Sequence, residues 1–344
     1  MTEGVNAAQE RHRVVVLHHG SHGTFADFKY LAEYLKLSRG APIVWEPTVN
    51  ETFRTDDGVL PCGIRLKDDL MRMLGQLCAL STKEKFGAVR PYAKTVVEMS
   101  FVCHSMGGLI VREALPHLFD EIQRLDGHLQ VKWKLFCCIC TPHGGTSHMP
   151  STLRRYVGRL IGRLYSTSYH DMFLQSNVLT EHLLSGKHLA CLAAFERRLL
   201  ISSINDILVP LPSSGFLLSP SERQLTGPAA QQAERDLCAC SEEEMRTKIQ
   251  RLTNLDPSNW PVDMFQAERR IAETLLQGAG AFDSIVVDLR PSTATAPREK
   301  ASLAQYGACD KSHQALICMP PFESLHDTFG FVLRMVAEDL LERS

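Results

Sequence analysis

The residues from Thr95 to Val111 read TVVEMSFVCHSMGGLIV, and this stretch decides the fold. An apolar, β-branched run ends abruptly at His104-Ser105-Met106-Gly107-Gly108, and an apolar pattern with helical spacing follows. The stretch therefore predicts a strand, a sharp turn and a helix, with Ser105 at the apex of the turn. A strained turn of this kind projects a serine hydroxyl above a parallel sheet, where it can act as a nucleophile.

The same stretch also fits an ordinary strand-to-helix turn in which glycines supply positive φ angles. The nucleophile pattern is usually Gly-x-Ser-x-Gly, and Cys103 stands here at its first glycine position. The catalytic interpretation therefore depends on what the rest of the chain supplies.

Strands and helices are predicted to alternate on both sides of this turn. Buried strands are predicted at 14–17, 42–45, 132–140, 199–204 and 284–289. Helices are predicted at 27–37, 61–80, 153–165, 242–252 and 322–341. The alternation predicts a doubly wound, mostly parallel α/β sheet.

We expect residues 11–344 to form a single domain built on this sheet. A helical cap is expected at 147–198, where the chain leaves the strand–helix alternation. An insertion with helices of its own is expected at 212–281, and a flexible excursion rich in Ser, Thr, Ala and Pro at 291–310.

The composition limits the possible function. The chain has 344 residues with 37 basic and 39 acidic side chains, so its net charge of −2 predicts no nucleic-acid partner. Its eleven cysteines are odd in number and irregular in spacing, which favours reduced thiols in a cytoplasmic protein. No apolar run approaches the roughly 18 residues of a transmembrane helix, and no signal peptide is expected.

A second turn follows the first predicted strand and reads His18-His19-Gly20-Ser21-His22-Gly23. Hydrolases with a nucleophile turn build an oxyanion hole from a backbone N–H of such a loop and from the N–H after the nucleophile. Ser21 and Met106 are the candidate donors. The three histidines are also a candidate metal site, but they lack the paired spacing of metal ligands, so we expect no metal and no cofactor.

The serine needs a base and an acid. Asp206 follows the strand predicted at 199–204, where a carboxylate can orient an imidazole, although an Asx turn or a helix cap is an alternative role. The candidate bases are His313, predicted on a loop after the last strand, and His326, predicted inside a helix. We favour His313 because a histidine inside that helix is poorly placed to reach Ser105, and His326 stays the alternative.

The stretches HHGSHGTFADF, CHSMGGLIVREAL, TPHGG and FERRLLISSINDILVPL resemble the putative serine esterase family of lipase-like α/β-hydrolases. The resemblance runs from about Val14 to the C-terminal helix. It implies the α/β-hydrolase fold and cleavage of carboxylic esters, with fatty-acyl esters as the expected substrates. The chain departs from the family at Cys103 and at Ser203, where asparagine is common before the acid.

The same resemblance implies a mechanism. Ser105, His313 and Asp206 would act as a triad through an acyl-enzyme intermediate, without a cofactor. Two alternatives to hydrolysis remain open. An acyltransferase or a thioesterase uses the same triad, and a catalytically silent hydrolase fold can serve as an interaction module.

A basic amphipathic helix is predicted in the cap. Apolar residues from Leu153 to Tyr165 share one face, and Arg155, Arg159 and Arg163 recur at intervals of four. The helix can pack on its own domain and cover the mouth of the site. Alternatively, residues 152–165 dock peripherally on a membrane or lipid droplet.

Overall fold

The computed structural model describes residues 10–83, 95–125, 129–148, 152–204, 206, 208–218, 249–261, 265–287, 311–319 and 326–342. The excursion expected at 291–310 lies outside these ranges, as does much of the insertion expected at 212–281.

The strands of the described residues form one seven-stranded sheet in the order β2-β1-β3-β4-β5-β7-β6. They are β1 (Glu10–His18), β2 (Ile43–Trp45), β3 (Thr95–His104), β4 (Leu129–Ile139), β5 (Arg197–Ser203), β6 (Ile249–Leu252) and β7 (Asp283–Val287). Neighbouring strands are parallel except for the pair β6 and β7. The predicted doubly wound, mostly parallel sheet is confirmed.

Helices cover both faces of this sheet. They are α1 (Lys29–Leu37), α2 (Val59–Lys83), α3 (Gly107–Arg124), α4 (Thr152–Leu164), α5 (Thr167–Met172), α6 (Gly186–Ala193), α7 (Leu211–Ser214), α8 (Gln266–Ala279), α9 (Lys311–Ala315) and α10 (His326–Glu342). Short 3₁₀ helices lie at Phe25–Phe28, Thr52–Asp57, His182–Leu184 and Pro257–Asn259. Apolar residues of α1 and α10 pack on one face, and those of α2, α3, α6 and α8 pack on the other.

Strand β3 explains why the central strands read as continuous apolar runs. Successive side chains of a strand point to opposite faces of the sheet. Phe101 and Cys103 therefore pack under α2 and α3, whereas Val102 packs toward α1 and α10. Because both faces are covered by helices, both sets of side chains are apolar.

Part of the range 212–281, which we expected to be an insertion, belongs to the central sheet and to the helices that cover it. Residues 249–252, predicted as the end of a charged helix, form strand β6 instead, and Ile249 pairs with Val287 of β7. Pairing with the open edge of β7 has overridden the local helical preference. Helix α8 then packs against α6. Residues 52–57, between β2 and α2, form a 3₁₀ helix.

In the described part of the chain, no helix is both long and apolar enough to cross a bilayer.

A glycine brings α2 and α3 close together. A Cβ atom added at Gly63 would lie 2.3 Å from Cγ of Glu113 and 3.1 Å from the backbone nitrogen of Ala114. Gly75 lies in the same helix, and a Cβ there would meet no atom within 4 Å. Both glycines lie in α2, but only Gly63 packs closely against α3.

We expect Gly63→Ala to destabilise the protein by about 1–3 kcal/mol, because the methyl group overpacks the contact between the helices. Gly75→Ala is the matched control and should stabilise by about 0.5–1 kcal/mol through helix propensity. Urea unfolding of both variants measures the difference. Equal effects of the two substitutions would contradict the close packing at Gly63.

Candidate active site

The turn between β3 and α3 holds Ser105 in a strained conformation. Ser105 has a φ of +52°, a left-handed conformation that is uncommon for residues other than glycine. Its backbone N–H donates to the carbonyl of Ile139, at a distance of 2.9 Å, as β4 ends. The half-buried side chain lines a cavity above the sheet. This is the geometry expected of a nucleophile turn.

Two glycines allow neighbouring loops to approach this turn. A Cβ atom at Gly20 would lie 2.7 Å from Cβ of Ser105. A Cβ atom at Gly107 would lie 2.5 Å from the carbonyl oxygens of His18 and His19. Side chains at either position would therefore separate the loop after β1 from the serine.

Cys103 occupies a position that accommodates a side chain. It is fully buried in the last part of β3, opposite Cys138 of β4, and both pack in the core under α3. Burial and the neighbouring Cys138 raise the pKa of the Cys103 thiol well above its usual range, so the thiol stays neutral. The departure from glycine therefore adds a small apolar side chain to the core.

Asp206 and His313 lie together. Nδ1 of His313 is 2.6 Å from Oδ2 of Asp206, and both side chains are almost fully buried. The other carboxylate oxygen accepts hydrogen bonds from the backbone N–H groups of Leu208 and Val209, each at 2.9 Å. Asp206 is therefore held by its own loop while it orients the imidazole.

His313 lies in α9, where the sequence predicted a loop. His104 helps to fix this short helix, since its Nε2 is 2.8 Å from the carbonyl oxygen of His313. Burial, with His313 as a smaller contribution, lowers the pKa of His104 to about 3. A neutral His104 can donate one N–H to that carbonyl. His326 is the first residue of α10, and the contact to Asp206 is made by His313.

The two candidate oxyanion donors reach the serine from different loops. Met106 follows Ser105 directly, and Ser21 lines the same cavity one residue beyond the close contact at Gly20. Within the described residues, neither backbone N–H donates a hydrogen bond to the protein. Both amides can therefore donate to an oxygen bound above Ser105.

The cavity has a volume of about 680 Å³ and a mostly apolar wall. Its polar lining includes Ser105, His313, Ser21, Asp27, His104, Thr146, Tyr169 and Gln314. Its apolar lining includes Leu153, Val157, Ile161, Met172, Phe173, Leu208, Val209 and Met319. A site of this size and polarity fits a medium-sized organic ligand.

Helix α4 packs on the protein through glycines. A Cβ atom at Gly158 would lie 2.2 Å from the ring of Phe173, and one at Gly162 would lie 2.7 Å from the backbone of His170. Apolar residues of the predicted stripe are exposed: Leu153, Tyr156, Val157, Leu160, Ile161, Leu164 and Tyr165. Three of them, Leu153, Val157 and Ile161, also line the cavity. Arg159 and Arg163 are also exposed, and Arg155 is half-buried.

The three histidines after β1 contact different groups. Nδ1 of His18 lies 2.9 Å from the carbonyl oxygen of His19, and Nδ1 of His19 lies 2.9 Å from that of Gly20. His22 instead contacts Asp56 at 2.9 Å. Burial lowers the pKa of His18 to about 3 and also lowers the pKa of His19. These contacts hold the loop that carries Gly20 and Ser21.

Sequence reasoning missed two groups near the site. Asp27 lines the cavity with only 6% of its surface exposed. Arg112 is fully buried in α3 and donates to the carbonyl of Leu183 at 2.7 Å, and one of its nitrogens lies 3.2 Å from Nδ1 of His143. The sequence does contain a signal for each residue. Asp27 follows the His-Gly loop, and Arg112 interrupts an apolar helical run.

A known protein family matches this chain. The family model described as "Putative serine esterase (DUF676)" matches residues 8–219, which is more than half of the chain. The chain belongs to this serine esterase family. The family and the α/β-hydrolase fold expected from the sequence are thereby confirmed. No curated protein matches the chain.

Solved structures that resemble this serine esterase are distant. Carboxyl esterase 2 from Tuber melanosporum is 12% identical, with a TM-score of 0.45 over 96% of this chain and 78% of its own. Aspergillus fumigatus lipase B is 14% identical, with a TM-score of 0.36 over 96% and 63%. Phospholipase PlaB from Legionella pneumophila, in complex with thio-NAD, is 13% identical, with a TM-score of 0.37 over 56% and 37%. The chain thus spans little more than a third of that phospholipase, and these likenesses do not bear on activity.

The buried Asp27 generates a prediction on stability. Burial, with the nearby charge of Glu51 as a smaller cause, raises its pKa to about 6 from a usual value of 3.8, and a backbone hydrogen bond at Thr24 opposes the rise. Between these two pH values the folded protein binds the proton more tightly than the unfolded chain. Its stability therefore falls as pH rises through this window.

We expect Asp27→Asn to be more stable than wild type at pH 8, by at most about 3 kcal/mol, because it removes a buried charge. The difference should shrink toward pH 4, where Asp27 is protonated. Urea unfolding at both pH values measures it, with the exposed Asp68→Asn as control. A variant that is less stable than wild type at pH 8 would contradict the expectation.

Proposed function

We propose that this serine esterase cleaves fatty-acyl carboxylic esters with Ser105 as nucleophile, His313 as base and Asp206 as the acid that orients the base. The observation that carries the proposal is the pairing of His313 Nδ1 with Asp206 at 2.6 Å, in a cavity that Ser105 also lines. With the proton on Nδ1, Nε2 of His313 carries the lone pair that a general base needs.

The reaction has two steps. His313 takes the proton of Ser105 as Oγ bonds to the carbonyl carbon, and the N–H groups of Ser21 and Met106 hold the oxyanion. The ester C–O bond breaks, and the alcohol leaves with the proton from His313. A water molecule, deprotonated by the same imidazole, then attacks the acyl-enzyme and releases the carboxylic acid. The mechanism uses no cofactor.

The cavity wall supports a fatty-acyl substrate. Met172, Phe173 and Val209 offer an apolar surface to an acyl chain, whereas the polar groups lie with Ser105 and His313. Burial of each methylene stabilises a bound chain by about 0.8 kcal/mol, so longer acyl chains should bind more tightly until the cavity is full.

Substitution of the proposed triad tests the mechanism. We expect Ser105→Ala and His313→Ala each to lower the hydrolysis of a p-nitrophenyl ester series by about 10⁶-fold, and Asp206→Asn to lower it by about 10⁴-fold. His326→Ala is the matched control and should keep wild-type activity. Full activity in His313→Ala, or its loss in His326→Ala, would overturn the assignment of the base.

A fluorophosphonate probe separates the remaining alternatives. Labelling of wild type that disappears in Ser105→Ala supports a serine enzyme, whereas folded wild type that resists labelling supports the interaction module. Thioester and ester substrates, each assayed with and without an added alcohol as acceptor, then separate hydrolase, thioesterase and acyltransferase.

We also propose that α4 binds the surface of an anionic phospholipid layer. Six apolar side chains of the helix and that of the following Tyr165 are exposed at and beside the cavity, and the exposed Arg159 and Arg163 supply positive charge next to them. A helix with this arrangement lies in the interface plane, with its apolar face among the acyl chains. Docking there would bring the mouth of the cavity to the lipid from which a substrate comes.

Charge reversal at Arg155, Arg159 and Arg163 to Glu should lower binding to phosphatidylserine-containing vesicles by at least about a hundredfold, since each basic residue contributes about 1 kcal/mol. The matched control reverses three exposed cations on other helices, Lys36, Arg72 and Arg124, with the same change in net charge. Vesicle flotation measures both. Equal loss in the two variants would contradict a role for α4.

A further inference from the structure

A second cluster of titratable side chains lies outside the Ser105 cavity. The carboxylate of Glu113 in α3 is 3% exposed and contacts three imidazoles. Its Oε2 lies 2.7 Å from Nε2 of His182 and 3.1 Å from Nε2 of His188, and its Oε1 lies 3.1 Å from Nε2 of His117. The histidines come from α3, a 3₁₀ helix and α6. The proposed ester cleavage uses none of these four side chains.

The separations within this cluster suit a small metal ion. The ligand atoms of Glu113, His182 and His188 all lie within 4.8 Å of one another. Tetrahedral zinc, with bonds of about 2.0–2.1 Å, holds its ligand atoms about 3.3 Å apart. The contacts of 2.7 and 3.1 Å are therefore close to the spacing that a bound ion requires. Small side-chain adjustments would make room for it.

The surroundings also orient these groups as ligands. Nδ1 of His188 is 2.8 Å from Oγ of Ser185, and a hydroxyl can accept a hydrogen bond from Nδ1–H when Nε2 binds a metal. His117 contacts the other oxygen of the carboxylate and can hold its orientation.

An ion can reach the cluster from solvent. The side chain of His182 is 41% exposed, whereas those of His188 and Glu113 are buried. The ammonium group of Lys187, the residue before His188, is paired with Asp120 at 2.5 Å, which offsets its charge. The cluster is thus an anionic carboxylate with imidazoles at one open edge.

We propose that Glu113, His182 and His188 bind a zinc ion that links the cap to α3. Two neutral imidazoles and one carboxylate are a common zinc ligand set, and a water molecule at the exposed edge would complete the coordination. The ion would join residues 182–188 of the cap to the helix that begins at the nucleophile turn. The ion would hold these two parts of the chain together, and its binding does not depend on the proposed ester cleavage.

Metal binding by the full-length protein tests this site. After removal of metal with a chelator, wild type should bind about one zinc ion, and Co(II) should give the visible d–d absorption of a four-coordinate site. The double variant His182→Asn and His188→Asn should lose at least about a hundredfold in zinc affinity. The matched control, His148→Asn, removes a histidine that contacts a single carboxylate, Glu268, and should bind zinc as wild type does.

Thermal unfolding gives a second readout. Zinc at a hundredfold excess over its Kd should raise the Tm of wild type and of His148→Asn by about 3–4 °C, and should leave the double variant unchanged. If the double variant does not fold, the cobalt spectrum of wild type decides.

Three results would overturn the proposal. These are the absence of zinc binding by wild type at micromolar zinc, undiminished binding in the folded double variant, or a cobalt–thiolate absorption band that Cys140→Ser abolishes. The last result would place the ion at Cys140, Asp206 and His313, which also lie within ligand distance of one another.

Discussion

The backbone of the loop after β1 lies directly against the turn at Ser105, and the site above the sheet depends on this contact. Strands β1 and β3 are parallel neighbours in register, with His18 beside Cys103, so their loops emerge side by side. Gly20 and Gly107 allow the two backbones to touch. In the proposed mechanism, the N–H groups of Ser21 and Met106 would act together at this contact, without any long side chain to order.

Helix α3 begins at this turn and contacts several other parts of the molecule. Its first turns are buried on all sides, so a charged residue there needs a specific partner. Arg112 finds partners in Leu183 of the cap and His143 of the loop after β4, and Glu113 finds three imidazoles. Arg112 and Glu113, in the buried part of α3, therefore connect residues 182–188 to the helix that begins at the Ser105 turn.

Features set by neighbours in sequence could be predicted, and features set by distant contacts could not. The Ser105 turn, the His-Gly loop and the strand before Asp206 are local, and the structure has each of them where the pattern indicated. The short helix around His313 depends instead on His104, which lies 209 residues earlier. Strand β6 depends on the open edge of β7, and the Glu113 cluster joins residues 69 and 75 positions apart.

The sequence also did not predict which face of α4 packs on the protein. An apolar stripe normally predicts the buried side of a helix. Here Gly158 and Gly162 form the contact, because only residues without side chains fit so close to Phe173 and His170. Hydrophobic periodicity identified the helix correctly, but close backbone packing decided its orientation.

The two edge strands of the sheet affect how readily copies of the protein associate. Strand β2 at one edge has three residues, and β6 at the other has four, of which Gln250 and Arg251 are exposed. The unpaired backbone groups of an edge strand can bind a strand of another chain. A short or charged edge strand offers few such groups and disfavours this pairing. The long, apolar central strands, which would aggregate readily if exposed, are thus shielded in the plane of the sheet as well as above and below it.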